Sequence, residues 1–345
     1  MSDLELGLGT FGDVPEDNSG ALVSHAEAIR QVVTEATLAD ELGVDSISLG
    51  EHHRPDYAIS TPETVLAGIA GRTSRIRLGS GVTVLSSDDP VRVFQRFATL
   101  DAISSGRAEV ILGRGSFTES FPLFGYDLAD YEVLFEEKLE LFVQLLDEKP
   151  VTWTGTVRAA LEDADVYPKT DSGRLNAWVG VGGSPQSIIR TARHGLPLML
   201  AIIGGAPARF SPLIDLYRRA AEQLGTPARP VGIHSPGFVA DTDDEAKQLH
   251  YPRYKVLHDR IGALRGWPPL RWADYAGELE HGSMYVGAPE TVARKIARSV
   301  RTLGISRFDM IYTGGSQPMS ARLRSVELYG SKVIPMVRDI LAETT

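Results

Sequence analysis

Short runs of β-branched and leucine-rich residues alternate with longer amphipathic stretches along this chain. The apolar runs are 4–8, 45–50, 76–85, 107–112, 177–181, 196–203, 230–239 and 307–312, which gives eight predicted strands. Between them lie stretches such as 26–42. Its apolar residues Ile29, Val32, Val33, Ala36, Leu38 and Ala39 recur with a period near 3.6. Leu42-Gly43-Val44-Asp45 predicts a helix stop followed at once by a strand. The same punctuation recurs at Gly195 and Gly304. Strict βα alternation implies a parallel sheet with right-handed crossovers, and near-continuous apolar strands suit a sheet covered by helices. Eight such units close into a (β/α)8 barrel spanning 1–345 as one domain. A doubly wound open sheet is the alternative. About 67 residues separate the seventh and eighth strands, too many for one crossover helix. Within them 251–285 reads as an insertion. It is either a wall of a pocket at the C-terminal face of the barrel or an irregular surface excursion.

Composition narrows the function. The 345 residues include 45 acidic and 35 basic side chains, for a net charge of −10. That diffuse acidity argues against nucleic-acid binding, which needs clustered Lys and Arg. No cysteine is present, so disulfides, thiolate metal sites and a Cys nucleophile are excluded. The first residues carry no basic and apolar leader, and no apolar run of about 18 residues occurs, so the expectation is a soluble cytoplasmic protein.

Candidate chemistry clusters at predicted strand ends. The second strand ends in Glu51-His52-His53. Adjacent histidines on extended chain point apart, and no further ligand motif accompanies them, so no metal is expected. A histidine acting as acid or base fits, as does one merely packed at the strand end. Gly79 and Gly81 in the third strand suit either a flat ligand against the backbone or a bulge. Gly113-Arg114-Gly115 leaves a guanidinium reachable for a phosphate or for a structural ion pair. Gly182-Gly183-Ser184-Pro185 is a strand-to-helix turn that suits an anion, although Ser184 and Pro185 also make a good helix start with no ligand.

In order and spacing these segments resemble the bacterial luciferase-like flavin monooxygenases, from Leu4 to about Leu341. Glu51-His52-His53 is similar to that family's motif after strand two. The run 78–85 with Asp89-Pro90-Val91-Arg92, the run 101–107 through Gly113-Arg114-Gly115, the turn 182–185 before Gly195-Leu196-Pro197, and the run 285–293 match further family segments. The resemblance implies a barrel that binds flavin mononucleotide (FMN) at its C-terminal face. Arg114, Gly182, Gly183, Ser184 and Ser187 would hold the phosphate. Gly81 and Val82 would lie under the isoalloxazine, joined by a non-proline cis peptide as in related proteins. His52 would be the catalytic histidine. Gly113 stands where luciferase has its reactive cysteine, and Gly183 where it has an acid. The implied reaction takes reduced FMN, O2 and a small organic substrate, with a separate flavin reductase as the possible source of reduced flavin. A deazaflavin (F420)-dependent oxidoreductase and a non-catalytic flavin-binding protein are the alternatives. Family practice further implies a homodimer through 62–69 and 91–100. Phe11, Phe117, Phe121, Trp267 and Trp272 are candidates to line an apolar pocket, with ordinary core packing the alternative for each.

Overall fold

A computed structural model describes residues 4–343. Its barrel strands are β1 (Glu5–Thr10), β2 (Ser46–Leu49), β3 (Arg77–Val84), β4 (Ala108–Gly113), β5 (Asn176–Val181), β6 (Leu198–Ala201), β7 (Val231–Val239) and β8 (Arg307–Ile311). Each pairs in parallel with the next, and β8 returns to β1, so the sheet closes. All eight correspond to the predicted runs, and the barrel rather than the open sheet is the fold.

The helices begin and end for local reasons. Ser24 caps α1 (His25–Glu41) by accepting from the Glu27 amide. Asp89 caps α2 (Pro90–Ser104) through the amides of Val91 and Arg92. Gly43 takes the left-handed conformation, φ +77°, that ends α1 and turns the chain into β2.

The barrel interior has a charged floor and an apolar upper layer. At the N-terminal ends of the strands, Arg307 lies between Glu109 (2.6 Å) and Asp309 (2.9 Å), all three almost fully buried. Its guanidinium also sits 5.2 Å from the centre of the Trp178 ring. Above the floor Ile111, Trp178 and Met199 pack with Val82. This layer supports whatever binds at the barrel mouth.

Two features depart from the sequence reading. A small antiparallel hairpin, Val151–Trp153 with Leu161–Ala164, intervenes between β4 and β5. Its strands are too short for periodicity to reveal. The stretch 251–285 is not an irregular excursion. It is largely helical, in α6 (Asp243–Arg265) and α7 (Trp272–Glu280), and ends in a strand, Tyr285–Gly287, paired with β7. Pro252 lies inside α6 and removes one backbone donor without ending the helix.

Candidate active site

A cavity of about 880 Å³ opens at the C-terminal ends of the barrel strands, where such barrels carry their chemistry. Its floor depends on the third strand. The Gly81–Val82 peptide is cis, as the family likeness implied. The Val82 side chain turns inward, where two neighbours have no room for a side chain. A Cβ on Gly113 would lie 2.7 Å from Val82 Cγ2, and one on Gly180 would lie 2.7 Å from Val82 Cγ1. The glycine at 113 is therefore fitted to Val82. Gly180, which the sequence reading passed over, has the same role from β5.

Glu51 holds this floor to β2. One carboxylate oxygen accepts from the Val84 amide at 2.8 Å, and the other pairs with His53 Nε2 at 2.9 Å. The Glu51 amide donates to the Val82 carbonyl at 3.2 Å. Of the three residues in the motif, two thus bind each other and brace the strand end.

His52 takes no part in that bracing. Its ring lies against Tyr57 (centroids 4.3 Å), Phe11 (5.0 Å) and Phe117 (5.5 Å) at the cavity wall. Nδ1 is buried and has no hydrogen-bond partner. Burial, helped by the charges of His53 and Arg54, pushes its pKa down to about 3, so the imidazole is neutral at ordinary pH. His234, from β7, also lines the cavity and is pushed down to about 4, chiefly by burial and then by Arg307. Neither carried a sequence signal: Tyr57 sits in the loop after β2, bridged to Asp13, and His234 comes from a distant strand of the barrel.

In the same cavity wall, Arg114, just after β4, meets the start of the helix that follows β5. Arg114 Nη2 donates to Ser187 Oγ at 3.2 Å, and the guanidinium lies 5.0 Å from the centre of the Tyr131 ring. Ser187 is in the first turn of α5 (Pro185–Arg193), which follows α3 (Ser120–Leu123) and α4 (Tyr131–Leu145) in the chain. Ser184 caps that helix, accepting from the Ser187 amide at 3.4 Å. Gly182 and Ser187 line the cavity, while Gly183 and Ser184 stand beside it in the same turn. Gly183 has φ +115°, a conformation that favours glycine, and a Cβ on Gly182 would meet nothing within 4 Å. The predicted set 114, 182–184 and 187 is therefore brought together. Arg114 is also ion-paired with Glu132, a contact the sequence reading did not anticipate.

Of the predicted pocket aromatics, Phe11, Phe117 and Trp267 line the cavity. Phe121 does not. It is buried against Tyr131, with ring centroids 5.5 Å apart. Trp272 is half exposed and packs on Tyr251 instead. Among the described residues no group of three or more His, Asp or Glu could hold a metal ion, and no helix is long and apolar enough to cross a membrane.

The sequence profile of the luciferase-like monooxygenase family matches residues 11–307. The alkanal monooxygenase alpha chain of Photobacterium leiognathi is 24% identical, over 92% of this chain and 95% of its own. The 4-hydroxyprotoasukamycin monooxygenase of Streptomyces nodosus subsp. asukaensis is 37% identical, over 67% of this chain and 64% of its own. Among solved structures, monooxygenase RslO1 from Streptomyces bottropensis superposes with a TM-score of 0.84 at 23% identity, covering 96% of this chain and 99% of that one. The oxygenating constituent of 3,6-diketocamphane monooxygenase from Pseudomonas putida, solved with FMN, gives 0.75 at 20% identity, covering 96% and 98%. By its sequence profile and its barrel, this chain belongs to the luciferase-like monooxygenase family.

Proposed function

We propose that this enzyme is an FMN-dependent monooxygenase that uses reduced FMN and O2 to oxidise a small organic substrate. The observation that carries the reading is the pairing of Arg114 with Ser187 at the α5 N-terminus, in the wall of the same cavity that His52 lines. The residues fit the group. One end offers a guanidinium, a hydroxyl and a helix start with open glycines, which suits a phosphate. The other end offers a buried ring nitrogen with no partner. When bound, reduced FMN supplies the two electrons with which one atom of O2 enters the substrate and the other leaves as water.

The chain supplies binding, orientation and shelter. Arg114, Ser187 and the turn 182–184 hold the phosphate. Gly81 and Val82 support the flat ring. Phe11, Phe117 and Trp267 keep water from the reacting atoms. His52, neutral and wedged among aromatics, offers its Nδ1 as a hydrogen-bonding group rather than as a charged acid. Reduced FMN comes from a separate flavin reductase, and two copies associate through the segments 62–69 and 91–100. A monomer by light scattering contradicts that last point.

Oxygen uptake with FMN, a flavin reductase and a panel of aldehydes and ketones tests the reading. Substrate-dependent oxygenation should occur in the wild type. In His52→Ala it should fall by about 10²–10³-fold with FMN binding retained. Flavin binding without turnover of any substrate would instead make the chain a flavin carrier.

A further inference from the structure

We infer that Glu132 is a built-in competitor for the anion that Arg114 and Ser187 bind, which keeps the cofactor an exchangeable co-substrate. The inference rests on the FMN reading above and concerns the phosphate end of the same site. Glu132 lies in the first turn of α4 and divides its carboxylate between two cations. One oxygen pairs with Arg114 Nη1, and the other accepts from Arg190 Nη2 at 3.1 Å. A phosphate approaching Ser187 therefore meets a guanidinium already engaged by a carboxylate. It must share that donor and withstand the like charge, or displace Glu132.

Three observations favour displacement. Arg114 does not depend on Glu132 for its orientation, since Ser187 and the face of Tyr131 also hold it. The Glu132 side chain is 64% exposed, whereas that of Arg190 is 10% exposed. Arg190 is fixed by an ion pair to Glu136 and by the Phe135 ring, 5.5 Å away. Arg190 Nη1 is moreover buried with no partner. A buried donor left unmade is costly, so Arg190 offers the departing carboxylate a second seat, with both oxygens on one guanidinium. Glu132 then alternates between bridging Arg114 and Arg190, which opposes the phosphate, and resting on Arg190 alone, which admits it.

The test compares FMN with riboflavin, which has the same ring and no phosphate. Both are titrated by fluorescence at low ionic strength into wild type, Glu132→Gln and Glu132→Ala. Each variant should bind FMN about three- to tenfold more tightly than wild type, with riboflavin affinity unchanged. The gain should shrink as salt is added and vanish on an Arg114→Ala background. If the variants leave the ratio of FMN to riboflavin affinity unchanged or lower it, Glu132 is a structural partner of Arg114 and the inference is overturned. If neither flavin binds any of the proteins, the FMN reading itself fails and this inference falls with it.

Discussion

His52 and His53 are neighbours in the chain with opposite surroundings. His53 is paired to Glu51, and through it to the Val84 amide. His52 has aromatic rings on three sides and an unpartnered Nδ1. On extended chain successive side chains point to opposite faces, so adjacent histidines are not expected to share one partner. The motif was legible in the sequence, but the division of labour needed the register of β2 against β3. The neutral state of His52 has a kinetic consequence. Its protonated form is populated only towards pH 3, so the pH dependence of turnover should show no inflection from His52 between pH 5 and 8. A bell-shaped profile with an inflection near 6.5 that disappears in His52→Asn would contradict this assignment.

At the scale of elements, the floor of the site is a fit between strands β3, β4 and β5. Val82 fills space that Gly113 and Gly180 leave open. Gly180→Ala should therefore push Val82 out of place, cost roughly 1–3 kcal/mol of stability and weaken flavin binding. Adding Val82→Ala should recover much of both, measured by denaturant midpoint and flavin titration. No recovery in the double variant would show that the two positions do not oppose each other. The glycine-rich character of β3 and of the turn after β5 was visible in the sequence. That Gly113 and Gly180 make room for one valine was not, because it depends on which strands become neighbours when the barrel closes. The eight barrel strands were legible for a simpler reason: each is a compact apolar run ended by polar or glycine residues. Helix α6 was not, since its internal proline and polar surface imitate a loop, and its few apolar residues, such as Ala246, find partners only in Phe238, Tyr275 and Met284 once the chain is folded.

The whole molecule buries titratable groups on a scale that couples its stability to pH. His250 is 1% exposed, hydrogen-bonded through Nδ1 to the Tyr275 hydroxyl, and pushed down to about 3 by burial. With His234 it is neutral when folded and free to protonate near 6.5 when unfolded. Between those values the unfolded chain binds more protons, so stability falls as pH drops from about 6.5 towards 4. Each such histidine contributes up to roughly 1.4 kcal/mol per pH unit. His250→Gln should make the fall shallower in melting curves taken from pH 6.5 to 4.5. An unaltered slope would mean that His250 is not neutral in the fold. If the proposed function is right, Arg114, Ser187 and the turn after β5 seat the phosphate of FMN. The most direct measurement is a parallel titration with FMN, reduced FMN and F420 on wild type and Arg114→Ala. Wild type should bind both forms of FMN, and Arg114→Ala should bind them about ten- to a hundredfold more weakly, as expected for loss of a charged hydrogen bond worth ~1.5–3 kcal/mol. Binding of F420 alone, or FMN binding indifferent to Arg114, would contradict the account.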